Sequence, residues 1–233
     1  MPKVYLEPDD IGSLEEAAVF YRDKLLIRTL FRLGCRVSEA IALAVDDIDF
    51  AQGTVTIEHL KTRLKLSCPQ CNTRLAKSHV FCPGCGTKVD EAVAEAKEHR
   101  KVRTLPIDGD TLKMLRYYID QGGPILRDGK MLLFGIDRHR AWQIIHECAE
   151  RAGLGEILNQ ETGRVHGVSP HRLRDAFAVH AMKVDDSGDG TRLLQEQMGH
   201  DSIDTTMRYR KVAGEEQREW YNKLWDKVNE LGR

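Results

Sequence analysis

No stretch of about 18 consecutive apolar residues occurs in this chain, so the sequence has no candidate transmembrane helix. The first residues, MPKVYLEPDD, are acidic and lack the apolar segment of a secretory signal. We therefore expect a soluble, cytoplasmic protein. A chain of 233 residues can bury one sizeable core, or one core with a small appended module.

An excess of positive charge is also missing, because the formal net charge is -1. Proteins that bind nucleic acid usually carry Lys and Arg side chains that displace counterions from phosphates. Residues 60–104 nevertheless include ten Lys or Arg and four Asp or Glu, a formal charge of +6. Since the whole chain carries -1, the remainder carries -7. Positive charge is therefore concentrated in one segment.

The six cysteines do not indicate a disulfide framework, because four of them form two Cys-x-x-Cys pairs. These four are Cys68, Cys71, Cys82 and Cys85. Two such pairs supply the four soft ligands that tetrahedral Zn²⁺ prefers, and a closed four-thiolate site leaves no coordination position for water. We predict one structural Zn²⁺ ion, whose binding would supply on the order of 10 kcal/mol of folding free energy.

Residues 66–89 resemble a zinc ribbon around this predicted site. Zinc ribbons bind nucleic acid or protein, and the basic side chains here favour phosphate contacts. These side chains are Arg74, Lys77, His79 and Lys88. A role as a spacer or a dimerisation surface is the alternative.

Helical periodicity dominates the rest of the chain, and strands are few. Helices are predicted at 14–33, 38–44, 111–121, 138–152, 171–183, 193–198, 202–209 and 215–231. Polar loops are expected at 160–167 and 185–190. The predicted fold is mainly α with a small antiparallel β-sheet.

The predicted sheet contains one interrupted hairpin. Residues 54–58 alternate like a half-buried strand, with Val55 and Ile57 facing inward. Residues 61–64 are extended as well, but the next strand-like run is 102–107. Because hairpin connections are usually short, the zinc segment is interpreted as an insertion between two paired strands.

Two short motifs have both a structural and a functional interpretation. In structural terms, GCRVSE at 34–39 predicts a helix that ends at Gly34 and a second helix capped by Ser38. Arg36 would then lie on the surface, and Glu39 would complete the capping interaction. SPHRLR at 169–174 predicts a helix that starts after Ser169. His171 and Arg174 share a face of its first turn, where free N–H groups and the helix dipole favour an anion such as phosphate.

A third motif pairs His200, which follows Gly199, with Tyr209 nine residues later. The order of all the motifs is more specific than any one of them. Gly-x-Arg-x-Ser-Glu comes first, then Lys-Thr at 61–62 in the hairpin, His-x-x-Arg, Gly-His and finally Tyr. This order resembles the catalytic domain of tyrosine recombinases, the integrases and Xer-type resolvases that share their chemistry with type IB topoisomerases.

The resemblance covers about residues 6–212 without the zinc insertion and implies one active site. Its residues would be Arg36, Lys61, His171, Arg174, His200 and Tyr209. Arg36 and Arg174 would bind the non-bridging oxygens of the scissile phosphate, and His200 would donate a further hydrogen bond.

The resemblance also implies the covalent chemistry. Tyr209 would attack phosphorus, Lys61 would protonate the departing 5'-hydroxyl, and His171 would assist proton transfer near the nucleophile. The 3'-phosphotyrosyl product conserves the phosphodiester energy, so no nucleotide cofactor is implied. Arg63 and Lys65 lie in the same hairpin as Lys61, and the strand register that would choose among them is not set by sequence.

The predicted domains are a catalytic domain at 1–65 and 100–233 and an inserted zinc ribbon with its return linker at 66–99. Residues 213–233 are predicted to form a C-terminal helix with an apolar stripe that includes Tyr221, and the helix is expected to pack on its own chain or to be exchanged between protomers. Tyrosine recombinases usually carry a preceding helical DNA-binding domain, whereas about ten residues precede the first predicted helix here. That domain is therefore expected to be naturally absent or truncated.

The predicted function is site-specific DNA strand exchange, with double-stranded DNA and further copies of the chain, as a dimer or tetramer, as partners. Relaxation of supercoils by the same chemistry is one alternative. A noncatalytic DNA-binding or scaffolding protein on the same fold is another.

Overall fold

The computed structural model describes residues 3–76, 78–89, 93–158, 163–185 and 187–210. The chain divides into two compact units, one formed by Met1–Ile57 with Thr104–Arg233 and the other by Glu58–Arg103. The larger unit is mainly helical with small antiparallel sheets, which confirms the predicted fold class. Among the described residues, no helix is both long and apolar enough to cross a membrane.

Eight α-helices lie in the described part of the larger unit. They are α1 (Pro8–Glu16), α2 (Tyr21–Leu33), α3 (Val37–Ala42), α4 (Gly109–Asp120), α5 (Arg138–Arg151), α6 (Pro170–Val184), α7 (Gly188–Met198) and α8 (Ile203–Arg210). A short 3-10 turn at Val45–Asp47 follows α3.

The described strands are short except for two. They are β1 (Ile48–Asp49), β2 (Thr54–Ser67), β3 (Arg74–Leu75), β4 (Val93–Pro106), β5 (Ile125–Arg127), β6 (Lys130–Leu132), β7 (Ile157–Leu158) and β8 (Val165–His166). β2 pairs with β1, β3 and β4, while β5–β6 and β7–β8 form separate antiparallel hairpins. Only β8 of the β7–β8 hairpin lies within 160–167, where the sequence predicts a loop without a strand.

The core of the larger unit is built around α2, which contacts α1, α3, α4, α5 and α6. Leu26 and Leu30 of α2 are fully buried, as is Leu173 of α6. The sheet adds Val55 and Ile57, which are 1% and 0% exposed, so their inward orientation is confirmed. Burial of these side chains fixes the positions of α2 and α6, the two helices next to the candidate site.

The prediction of one helix at 14–33 was wrong, because α1 ends at Glu16 and α2 begins at Tyr21. Val19 and Phe20 are 71% and 60% exposed, so the apolar spacing does not continue along one buried face. α1 and α2 instead pack against each other through apolar positions on both sides of the break.

The predicted loop at 185–190 was also too long, because α7 begins at Gly188 and not at Leu193. The side chain of Ser187 accepts a hydrogen bond from the Gly190 N–H at 3.0 Å. This N-cap satisfies one free amide of the first turn and offsets the low helix propensity of the two glycines.

Candidate active site and candidate metal centre

One cavity of about 780 Å³ lies in the larger unit, between the start of α3, the first turns of α6 and the α7–α8 region. Five of the six predicted catalytic residues line it. They are Arg36, His171, Arg174, His200 and Tyr209. The structure therefore brings together residues that are separated by up to 173 positions in the sequence.

Arg36 precedes α3 and occupies its N-cap position, so the prediction that Ser38 caps this helix was wrong. The cap interaction comes from Glu39, whose Oε2 accepts a hydrogen bond from the Arg36 backbone N–H at 2.8 Å. Its Oε1 accepts a second bond from the Arg36 guanidinium at 3.0 Å. Because Glu39 is only 2% exposed, this pair holds the arginine firmly at the edge of the cavity.

Arg174 is 3% exposed and binds the carbonyl ends of two helices. Its guanidinium donates to the Gly34 carbonyl at 2.6 Å and to the Met198 carbonyl at 2.8 Å. Gly34 follows α2 with a φ of 57°, and Met198 is the last residue of α7. The partial negative charge at helix C-termini stabilises the buried cation.

His200 follows α7 and stacks against the nucleophile candidate. Its ring lies 6.2 Å from the Tyr209 ring, with the planes 13° apart. Its Nδ1 lies 2.9 Å from the hydroxyl of the fully buried Thr206. These two contacts orient the imidazole within the cavity.

Tyr209 lies near the end of α8, and its hydroxyl donates to Asp175 Oδ1 at 2.9 Å. Burial raises the pKa of Tyr209 far above its ordinary value of 10, and the negative charge of Asp175 and its hydrogen bond raise it further. The positive charges of Arg174 and Arg172 lower the pKa of Tyr209, but by less. The phenol is therefore neutral at physiological pH.

His171 lies in the first turn of α6, and its side chain is 71% exposed. Its Nε2 is 3.7 Å from Asp175 Oδ1, the oxygen that receives the Tyr209 hydrogen bond. Ser169 occupies the N-cap position and Pro170 the first helical position, which confirms the predicted start of this helix.

The sequence did not single out Asp175 or Thr206. Asp175 follows His171 by four residues and Arg172 by three, spacings that bring side chains together on a helix. That signal existed in the sequence, but many exposed helical carboxylates share it. No sequence pattern pointed to Thr206, because its contact with His200 depends on its burial in the folded chain.

Lys61 lies in β2, in the smaller unit, and its side chain is outside the described part of the structure. Its role therefore stays a prediction. The predicted C-terminal helix and Tyr221 lie outside the described residues as well.

The sulfur atoms of Cys68, Cys71, Cys82 and Cys85 lie within 4.8 Å of one another in the smaller unit. The Cys68–Cys85 and Cys71–Cys82 sulfurs are 3.7 and 3.5 Å apart. Four sulfurs at about 2.3 Å from one tetrahedral ion would be separated by about 3.8 Å. The spacing shows that these four cysteines could hold a metal ion.

Each cysteine pair forms the same local turn. The Asn72 N–H donates to the Cys68 carbonyl and the Gly86 N–H to the Cys82 carbonyl, both at 2.9 Å. Asn72 and Gly86 adopt φ values of 58° and 71°, a left-handed backbone that asparagine and glycine tolerate best. The segments CPQCNT at 68–73 and CPGCGT at 82–87 therefore form the same turn. In each segment this turn directs both cysteine sulfurs toward the other pair.

A sequence model of the phage integrase family matches residues 5–77 and 86–216. The tyrosine recombinase XerD of Corynebacterium glutamicum is 27% identical over 205 residues, which cover 85% of this chain and 51% of that protein. The chain thus spans about half the length of the curated relatives it matches. The family resemblance found in the sequence is confirmed.

Two solved structures share the fold. The XerA recombinase aligns over 96% of this chain and 66% of its own, with a TM-score of 0.63 and 21% identity. The XerH site-specific recombinase, in a post-cleavage complex with its palindromic difH substrate, aligns over 97% of this chain and 54% of its own, with a TM-score of 0.58 and 17% identity.

Proposed function

Because the chain belongs to the phage integrase family, we propose that it cleaves and rejoins DNA at specific sites through a bond between Tyr209 and a 3'-phosphate. The observation that carries this proposal is the position of the Tyr209 hydroxyl in a cavity that is also lined by five arginines, among them Arg36 and Arg174, and by two histidines. A phenol and several cationic donors around one space match the needs of phosphoryl transfer.

The two arginines bind the non-bridging oxygens of the scissile phosphate, where negative charge grows in the transition state. Arg36 lies at the cavity edge with 35% of its side chain exposed, and Arg174 lies beneath the surface. His200 donates a further hydrogen bond to the same phosphate. Each donor is oriented beforehand by a protein contact, which favours stabilisation of the transition state over the ground state.

Tyr209 attacks phosphorus and displaces the 5'-hydroxyl, which Lys61 protonates. Lys61 is assigned from its place in the motif order. Attack by a 5'-hydroxyl on the phosphotyrosine reverses the step and seals a strand. Since the bond energy is conserved in the covalent intermediate, neither ATP nor a catalytic metal is required.

The catalytic domain comprises residues 1–65 and 100–233, and residues 66–99 form a zinc ribbon. Separation of Glu58–Arg103 as its own compact unit supports an inserted module. Four cysteine sulfurs at tetrahedral spacing support Zn²⁺ over harder ions, because zinc accepts thiolate ligands readily. The ion would stabilise the fold of the ribbon and take no part in the reaction.

Double-stranded DNA and further copies of the chain are the proposed partners, with strand exchange in a dimeric or tetrameric complex on DNA. The DNA-bound XerH structure supports this choice for a chain of the same fold. Residues 213–233 are proposed to contribute to self-association, and the protein acts in the cytoplasm, where its substrate lies.

A trapping experiment tests the function without a known target. The protein is incubated with a duplex library of random sequence that carries a central nick, so that cleavage nearby releases a short strand and prevents religation. A covalent protein–DNA adduct is expected, with a phosphodeoxyribosyl group on Tyr209 in mass spectra of digested peptides. Sequencing the trapped DNA then identifies the preferred site.

Tyr209→Phe should abolish the adduct, whereas Tyr117→Phe, which changes a 54% exposed tyrosine outside the cavity, should retain it. An adduct that persists in Tyr209→Phe would contradict the assignment. Adducts without sequence preference, together with relaxation of plasmids that lack the site, would indicate topoisomerase activity instead.

A further inference from the structure

The cavity is also lined by the carboxylate of Asp175, which has no role in the mechanism proposed above. Asp175 immediately follows Arg174 in α6, and its side chain is 16% exposed. Its Oδ1 accepts the hydrogen bond from the Tyr209 hydroxyl at 2.9 Å, so the only proton on the nucleophilic oxygen points at this carboxylate.

Two further contacts fix the orientation of Asp175. Arg172 donates from Nη1 to Oδ2 at 3.1 Å, which leaves Oδ1 directed toward the tyrosine. The Nε2 of His171 lies 3.7 Å from the same Oδ1. The His171 side chain is 71% exposed, so this imidazole is in contact with solvent as well.

The environment of Tyr209 makes a proton acceptor necessary. Because burial and the nearby carboxylate hold the pKa of Tyr209 well above 10, the phenolate is scarce at neutral pH. The proton must therefore leave as the oxygen attacks. A general base has to lie within about 2.6–3.2 Å of the proton donor, and Asp175 meets that condition before DNA binds.

We propose that Asp175 is a further catalytic residue, whose Oδ1 accepts the phenolic proton as Tyr209 attacks phosphorus and returns it during ligation. This inference rests on the proposed function. In cleavage the O–H bond of Tyr209 breaks, the bond from its oxygen to phosphorus forms, and the bond from phosphorus to the 5'-oxygen breaks. Asp175 gains one proton and Lys61 supplies one to the leaving oxygen, so the step balances.

Other charged and titratable groups line the same cavity as this acceptor. The cavity is also lined by Arg36 from the α3 end, Arg138 from α5, His171, Arg172 and Arg174 from α6, His200 after α7, and Arg208 from α8. The arginines keep a positive field around the carboxylate and the incoming phosphate. The nearest histidine nitrogen to the carboxylate is the Nε2 of His171, at 3.7 Å from Oδ1.

The test separates the base from the leaving-group acid. The substrate is the duplex recovered by trapping, with sulfur replacing the 5'-bridging oxygen at the scissile position. A thiolate leaves without protonation, so this substrate should restore cleavage by Lys61→Ala. Asp175→Asn keeps the size and the hydrogen bond but cannot take the proton, and it should remain about 100-fold or more below wild type on both substrates.

Asp128→Asn is the matched control, because it makes the same change at a carboxylate that is 96% exposed and has a φ of 49°, which asparagine tolerates. Asp175→Glu retains a carboxylate and should recover part of the rate. If wild type forms no Tyr209 adduct, the proposed function fails. If wild type forms it and Asp175→Asn cleaves the sulfur substrate as fast as Asp128→Asn, only the assignment of Asp175 is overturned.

A second measurement needs no DNA. Ultraviolet titration, from which the curve of Tyr209→Phe is subtracted, isolates the ionisation of one phenol. Burial raises the pKa of Tyr209 and the negative charge of Asp175 raises it further, so Tyr209 should ionise above the ordinary value of about 10 in wild type and at a lower pH in Asp175→Asn. Ionisation at the same pH in both proteins would show that the contact with Asp175 is absent in solution and would overturn the proposal.

Discussion

The carboxylate of Glu39 binds Arg36 twice, once through the backbone N–H and once through the guanidinium. The first bond caps α3, and the second orients the cation that faces the cavity. Helix initiation and the orientation of Arg36, which is proposed to bind phosphate, therefore depend on the same buried side chain.

Glu39→Gln should slow DNA cleavage about tenfold, because a charge-assisted hydrogen bond exceeds a neutral one by about 1–1.5 kcal/mol. The amide can still accept the bond from the Arg36 N–H, so the helix should persist. Single-turnover adduct formation measures the rate. Glu147→Gln, which changes an ion pair with Arg140 on α5, is the control, and equal rates for the two variants would contradict the prediction.

Gly34→Ala should destabilise the larger unit by about 2 kcal/mol or more, because the left-handed backbone and close packing each add a penalty. Gly34 has a φ of 57°, and a methyl group there would collide with the Phe177 ring. Thermal unfolding measures the change. Gly12→Ala lies within α1 with no atom near the added carbon, and it should leave stability unchanged or slightly higher.

Asp108→Ala should cost about 1 kcal/mol of stability through loss of the α4 N-cap. The Asp108 carboxylate accepts bonds from the Thr111 N–H at 3.0 Å and from its hydroxyl at 2.6 Å. Asp110→Ala is the control, because that carboxylate is 79% exposed in the same first turn. Denaturant unfolding compares the two.

The Asp108 contribution should also depend on pH. Burial opposes ionisation of Asp108, but the two bonds from Thr111 and the charges of Arg32 and Arg28 outweigh it and lower the pKa below its ordinary value. The stabilisation is therefore present above the unfolded pKa of about 3.9 and is lost as the pH falls through the lower folded pKa. The difference between wild type and Asp108→Ala should shrink below about pH 4; a difference that stays constant there would count against this assignment.

Purified protein should contain one zinc ion per chain, and Cys71→Ser should lose it, because a hydroxyl is a poor substitute for a thiolate ligand. Cys148→Ala is the control, since that buried cysteine lies in α5 of the other unit. Elemental analysis after dialysis measures the content. Equal zinc in both variants would exclude the four-cysteine site.

Features set by residues close in sequence could be predicted well. The left-handed end of α2 at Gly34 and the start of α6 after Ser169 depend on chemistry within about four residues. The motif order likewise identified five residues that line one cavity. The break between α1 and α2 was missed, because apolar spacing does not reveal which side of a helix is covered.

Contacts between distant parts of the chain could not be predicted. Asp175 and Tyr209 are 34 residues apart, and Arg174 and Gly34 are 140 apart. Their pairing depends on how α6 packs against α2 and α8, which follows from burial of the whole core and not from local preference. The choice of Lys61 over Arg63 and Lys65 could not be settled from sequence either. The strand register decides which of these basic side chains faces the active site, and local sequence does not set that register.

The two helix ends that meet at Arg174 have an entropic consequence for substrate binding. An arginine that moved freely before binding would lose about 2 kcal/mol of rotamer entropy when a phosphate ordered it. Here the Gly34 and Met198 carbonyls have already restricted that motion during folding. Arg174→Lys would therefore weaken anion binding twice, through fewer donors and through a side chain that must be ordered anew at each encounter.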